Sequence, residues 1–249
     1  MQRYFVKLAY RGTNYRGWQR QPNGISVQQV LEEAMSLMLR IPVRLTGAGR
    51  TDTGVHASEF YAHFDSPVPL VPRKPENLVH KLNSYLNGDI AVYEIFPVKP
   101  DFHARFSALS RTYKYFTSSR KDPFREGLVM PMPGLLDVAQ MNLGAERIMN
   151  TRDFTSFSKV DTDTKTNLCR VTHARWEWEG RELVFTISAD RFLRNMVRAI
   201  VGTLLKIGRG KLSLEALDEI IASLDRSKAG MSAPACGLHL TGIKYPEDL

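Results

Sequence analysis

The segment Gly47-Ala-Gly-Arg-Thr-Asp-Thr-Gly-Val-His-Ala57 places one carboxylate, Asp52, among three glycines, with Arg50 two residues before it. Glycines 47, 49 and 54 let a backbone turn tightly and let a ligand approach it closely. A lone acid in such a loop suits attack on, or proton removal from, a group held against it. Asp and Gly are also ordinary turn formers, so local composition by itself leaves a plain turn open.

Two further constellations bear on that carboxylate. In Arg111-Thr-Tyr113-Lys-Tyr115, alternate residues of a strand share a face, so Arg111, Tyr113 and Tyr115 project together. A phenol ring beside a guanidinium can stack an unstacked base and hold its phosphate, although one face of a sheet is ordinarily core. In Arg191-Phe-Leu-Arg194-Asn-Met-Val-Arg198, the arginines recur at helical spacing beside an apolar surface of Leu193, Met196, Val197, Ile200, Val201, Leu204 and Leu205. An ionised Asp in a dry pocket needs such a cation, because burial alone would neutralise it. The same arginines also suit a solvated basic face.

Other chemistries fit poorly. The six histidines and two cysteines show no zinc-ligand spacing, so no metal site is expected. Gly47–Gly49 lacks the Gly-Lys-Ser/Thr that completes a phosphate-binding loop, which disfavours a nucleotide hydrolase, and the context is wrong for a dinucleotide fingerprint. There is no Gly-x-Ser-x-Gly elbow. Trp176 and Trp178 share a strand face and read as packing, and His56 reads as a residue that holds its loop together.

The elements that must carry these residues follow from periodicity. Residues 3–10 read as a strand, and Ser26 with Gln29 forms a capping pattern ahead of a helix with apolar positions 27, 30, 31, 34, 35 and 38. A short strand at 43–47, a strand through Phe60–Phe64, a helix at 76–86 and a strand at 90–96 complete a β-α-β-β-α-β order. The second half repeats it with a long strand at 104–117, a helix from Asp137 to about Met149, and a hairpin of 171–178 and 183–189. A helix over 191–207, a short extra helix at 214–223 and a strand at 238–245 follow. The expectation is therefore an α+β fold of two tandem ferredoxin-like lobes, with a mainly antiparallel sheet and a central basic cleft. Residues 1–98 would carry the Asp loop, and residues 99–249 the Tyr strand and Arg helix. Two long loops stand out, at 121–135 and 159–166.

Bulk properties narrow the setting. The chain has 249 residues, 43% hydrophobic and 24% charged, ordinary for a globular protein. A net charge of +8 favours a polyanionic partner. Two cysteines suit a reducing cytoplasm, no apolar run reaches the roughly 18 residues of a membrane span, and the alternating start does not read as a signal peptide.

Gly47–Ala57, Phe102-His-Ala-Arg105-Phe-Ser-Ala108, Arg111-x-Tyr113-x-Tyr115, Asp153-Phe-Thr-Ser-Phe157, Met196-Val-Arg198-x-Ile-Val-Gly202 and Ala233-Pro-Ala-Cys-Gly237 together resemble the tRNA pseudouridine synthase A family, in the family's order and over nearly the whole chain. The resemblance implies a cofactor-independent isomerase of uridines in the anticodon arm of tRNA, at nucleotide positions 38–40, usually a homodimer. It implies Asp52 as the catalytic aspartate and Tyr113 as the ring that stacks on the target uracil and serves in proton transfer. By the same resemblance Arg198 pairs with Asp52, Arg50 helps displace the base, and Arg105 and Lys121 contact the RNA backbone. Thr53, where many members have Ala, and Leu109-Ser110 depart from the pattern without touching a proposed role. A non-catalytic RNA-binding module is the competing reading, and it has no use for an anion in its cleft.

Overall fold

The computed structural model describes residues 1–67, 69–70, 75–159 and 165–247. Most of the expected 159–166 loop falls on residues 160–164, outside that range. The chain divides into two compact units, Met1–Leu109 with Leu240–Leu249, and Ser110–His239.

The first unit comprises β1 (Gln2–Tyr10), α1 (Val27–Leu39), β2 (Thr46–Gly47), β3 (His56–Ser66), α2 (Pro75–Tyr85) and β4 (Ile90–Val98). β1 is central: it runs antiparallel to β3, with Tyr4 opposite Phe64, and to β4, with Phe5 opposite Phe96. Its middle is correspondingly apolar on both faces, and Tyr4, Phe5, Val6, Leu8 and Tyr10 are all buried. Ser26 caps α1 by accepting from Gln29 N at 3.2 Å, as its pattern predicts.

Only Thr46–Gly47 of the expected 43–47 strand joins the sheet, beside β3. Side chains of α1 take the other backbone groups first. Buried Glu32 accepts from Leu45 N at 2.9 Å, Gln28 donates to Leu45 O at 2.8 Å, and Ser36 accepts from Val43 N at 2.9 Å.

The second unit holds β5 (Ser110–Ser118), β6 (Met130–Pro131), α3 (Val138–Asn150), β7 (Val171–Glu179), β8 (Glu182–Ala189), α4 (Met196–Gly208) and α5 (Leu214–Ser223). β8 runs antiparallel between β5 and β7, and β6 adds a short parallel pairing to β5. Asp137 caps α3 by accepting from Gln140 N at 3.0 Å. The β7–β8 turn uses Gly180 at φ +61°, a left-handed conformation in which glycine is unstrained. Trp176 is buried while Trp178, on the same strand face, is exposed. The last strand, β9 (Leu238–Lys244), begins in this unit, and from Leu240 it lies beside β3 in the first.

The fold is thus α+β and mainly antiparallel, with five helices among the described residues. None of those helices is long and apolar enough to cross a membrane.

Two expected elements are shorter than periodicity suggests. The strand expected from 104 starts at Ser110, because the preceding backbone is turned onto histidine rings described below. The helix expected from Arg191 starts at Met196. Asn195 sits at φ +65° with its side chain donating to Ser232 Oγ at 2.6 Å, and Arg191 N donates to Asp190 Oδ1 at 2.7 Å. Arg191 and Arg194 therefore precede the helix rather than forming a row along it with Arg198.

Candidate active site

The Asp52 loop leaves the sheet at Ala48, whose N–H still donates to Tyr61 O at 2.8 Å. It returns at Val55, whose N–H donates to the Asp52 carbonyl at 3.1 Å. Gly54 closes this turn at φ +79°. Thr51 is fixed on its other side, with Tyr10 Oη and Thr51 Oγ1 2.9 Å apart and Trp18 N donating to Thr51 O at 3.4 Å. Asp52 is half-buried and Arg50 exposed.

The segment 12–18 braces this loop through close backbone approaches that sequence reasoning missed. A Cβ on Gly17 would overlap the Thr51 carbonyl oxygen, and one on Gly12 would overlap that of Val55. A Cβ on Gly47 would meet the indole of Trp18, which is buried against Tyr10 and Phe60. Gly12 N also donates to Nδ1 of buried His56 at 3.0 Å, so His56 holds its loop as expected. The available signal was the pair of glycines in Arg11-Gly-Thr-Asn-Tyr-Arg-Gly-Trp18, directly after a strand.

Arg105 lies in the same unit, exposed on a turn at 103–107. Its guanidinium sits 5.5 Å over the ring of Phe106.

In the second unit β5 presents Arg111, Tyr113 and Tyr115 on one face, as alternation requires, opposite Ala189, Ile187 and Phe185 of β8. The three differ in burial. Arg111 Nη1 donates to Asp190 O at 2.8 Å, and half-buried Tyr113 meets Phe192 edge-on at 5.2 Å. Tyr115 is fully buried, its hydroxyl donating to Pro234 O at 2.8 Å, and burial raises its pKa far above the usual phenol range. Lys121 is exposed just beyond the end of β5.

Arg198 occupies the first turn of α4, half-buried. Its Nε donates to Ala233 O at 2.7 Å, and its carbonyl accepts from Ala233 N at 2.9 Å. The segment 230–234 can run this close to the helix because of two glycines. A Cβ on Gly202, one turn after Arg198, would overlap the Met231 carbonyl, and a Cβ on Gly230 would stand 2.9 Å from Gly202 C and Thr203 N. Gly230 N donates to Thr203 Oγ1 at 2.9 Å across the same contact. Tyr115 and Arg198 are therefore both fixed to 233–234, which explains why the Gly202 and Ala233–Gly237 motifs accompany the Arg198 motif. Neighbouring Cys236 has its pKa raised, chiefly by burial.

Among the described residues, no three His, Cys, Asp or Glu side chains gather as a metal ion would require. Each unit thus offers a braced functional group: an acid on a clamped loop in the first, and an aromatic strand with an anchored arginine in the second.

The profile of the family described as tRNA pseudouridine synthase matches residues 8–107 and 146–246. The chain is 54% identical to tRNA pseudouridine synthase A of Parabacteroides distasonis, over all of this chain and 98% of that protein. It is also 54% identical to the protein of that name from Porphyromonas gingivalis, over all of this chain and 99% of the relative. For the one from Acinetobacter baylyi the identity is 38%, covering 99% of this chain and 91% of the relative.

Proposed function

Because this chain belongs to the tRNA pseudouridine synthase family, we propose that it isomerises uridine to pseudouridine in the anticodon arm of tRNA, at positions 38–40, with Asp52 as its catalytic carboxylate. The reaction breaks the N1–C1′ bond, turns the uracil and joins C5 to C1′. The proton leaving C5 is balanced by one gained at N1, so no electrons are exchanged and the residues named here suffice in kind.

The chemistry needs an unprotonated carboxylate, a base lifted from its stack, and exclusion of water. Asp52 supplies the first, on a backbone that Gly12 and Gly17 hold from behind. Arg198 supplies the cation that the reading requires, and its Nε bond to Ala233 O sets the direction of its guanidinium. Tyr113 stacks on the target uracil and serves the proton transfer, with Phe192 edge-on against its ring. Arg50 fills the space left by the flipped base. Arg105, Arg111 and Lys121 meet the RNA backbone.

The observation that carries the reading is the coincidence of motif and construction. The family match spans Arg50, Asp52, Arg105 and Arg198, and the backbone beside Asp52 and Arg198 is clamped by glycine contacts that a mere turn or solvated face would not need. We read each of the two units as built on a ferredoxin-like lobe, with residues 99–109 and 240–249 belonging to the first unit. The β1-α1-β2-β3-α2-β4 order with β1 central and the β5-α3-β7-β8-α4-β9 order support this. A cytoplasmic homodimer is the corresponding working form.

Unmodified tRNA transcript incubated with the protein, then mapped by carbodiimide modification and primer extension, tests the proposal. Pseudouridine is expected at 38–40 with wild type and at none of them with Asp52→Asn, which still binds the tRNA. Product formed by Asp52→Asn at the wild-type rate would exclude the role given to Asp52.

A further inference from the structure

The turn that carries Arg105 is held by imidazoles instead of a ladder. Ala104 N donates to His63 Nδ1 at 3.1 Å, while Arg105 N and Phe106 N converge on His103 Nδ1 at 3.1 and 3.3 Å. The flanking groups are engaged as well. His103 N donates to Ser107 Oγ at 2.9 Å and Ser107 N to His103 O at 2.9 Å. Tyr245 Oη donates to Ala104 O at 2.6 Å, and Arg3 Nη1 to Phe102 O at 2.9 Å.

The rings also form a column from core to surface. His63 is buried on β3 and stacks on Phe5 at 6.1 Å. His63 meets His103 edge-on at 4.6 Å, and His103 meets Phe106 at 4.4 Å. Phe106 is 75% exposed and lies under the Arg105 guanidinium. Backbone N–H groups only donate, so both Nδ1 atoms accept and both rings are neutral Nε2–H tautomers. Burial is the main cause keeping them neutral, taking His63 down to about 4 and His103 in the same direction. The charged groups bearing on the pair are Arg3 from β1, Asp65 from β3 and Arg105 in the turn itself; Arg3 and Arg105 reinforce neutrality and Asp65 opposes it.

A long basic side chain loses rotamer freedom when it grips a phosphate, and prior ordering removes part of that loss. We propose that His63, His103 and Phe106 are positioning residues for RNA binding, a rigid column that holds the Arg105 guanidinium ready for a tRNA phosphate. The inference rests on the reading of Arg105 as an RNA-backbone contact.

Filter binding of unmodified tRNA over a salt series, with single-turnover pseudouridine formation alongside, tests it on four proteins: His103→Leu, His103→Asn, Arg105→Ala and the double variant His103→Leu/Arg105→Ala. His103→Leu removes the acceptor and is expected to raise Kd about 2- to 12-fold, the loss falling on Kd more than on the saturated rate. His103→Asn, whose Oδ1 stands near the Nδ1 position, is expected to restore most of the affinity. Arg105→Ala should reduce the salt slope by about one, and the double variant should bind no worse than Arg105→Ala alone. Wild-type affinity for His103→Leu beside a weakened Arg105→Ala would overturn the inference and spare the reading of Arg105. Wild-type affinity for Arg105→Ala would overturn both. Additive losses in the double variant would assign His103 a general structural role and refute the column.

Discussion

Gly17→Ala tests whether the backbone behind Asp52 has to stay where it is. Two effects act together. Gly17 sits at φ +80°, where an L side chain costs about 1–2 kcal/mol. Its new Cβ would also overlap the Thr51 carbonyl oxygen and stand 3.2 Å from both Thr51 C and Asp52 C. Carbon–oxygen contact is restored only if the 51–52 peptide retreats by about 1 Å, since favourable separations begin near 3.5 Å.

The peptide cannot retreat without loosening Tyr10 on Thr51 Oγ1 and Trp18 N on Thr51 O. A carboxylate misplaced by about 1 Å loses about 100-fold in rate, or roughly 2.7 kcal/mol of barrier. Single-turnover pseudouridine formation at saturating tRNA is the assay, with Kd measured separately and expected to change little. Gly88→Ala is the control, because its Cβ would meet nothing within 4 Å and its φ is not positive. If Gly17→Ala reacts at the Gly88→Ala rate, the brace is irrelevant to catalysis.

Three further outcomes are expected. Gly202→Ala gains about 1 kcal/mol of helix propensity and loses about 3 kcal/mol, the upper end of usual overpacking, because its Cβ would overlap the Met231 carbonyl. Its melting temperature should fall by a few degrees, with the rate lowered further through Arg198; an unchanged melting temperature would contradict the packing. His63, held down to about 4, stays neutral in the fold while the unfolded chain takes up its proton near 6.5. Its contribution, up to about 3 kcal/mol, is therefore full above pH 6.5 and lost as pH falls toward 4. Urea unfolding should show that slope in wild type and a shallower one in His63→Asn, and parallel profiles would refute it. Lys121→Ala should weaken tRNA binding and reduce its salt dependence by about one charge, leaving the saturated rate nearly intact.

Periodicity made the main elements legible, together with the capping of α1 by Ser26 and α3 by Asp137. The placement of Asp52, Tyr113 and Arg198 on a loop, a strand and a helix was legible in the same way. What it could not convey were places where a side chain takes a backbone group that periodicity assigns to a ladder or helix. Glu32, Gln28 and Ser36 do this at 43–45, His63 and His103 at 104–106, and Asp190 at 191. Those of Glu32, Gln28, Ser36 and His63 join separate elements, whereas His103 and Asp190 bond backbone groups one to three residues away, in loops that periodicity does not describe. The clamps at Gly12, Gly17 and Gly202 were hidden for the same reason. A glycine declares permission for a close approach, and only the partner strand or loop reveals that the permission is used.

β9 has a consequence for how the protein is made. The strand that lies beside β3, and the Tyr245 hydroxyl that grips Ala104, are translated after the whole of residues 110–239. On the ribosome the Asp52-bearing unit must therefore wait, with β3 only partly paired beyond β1, until residues 240–245 have been made. Prematurely terminated chains would lack both the flanking strand and the clasp on the Arg105 turn, so a nascent fragment would be both inactive and exposed to proteolysis. Enzymatic competence in this polypeptide is tied to the synthesis of β9.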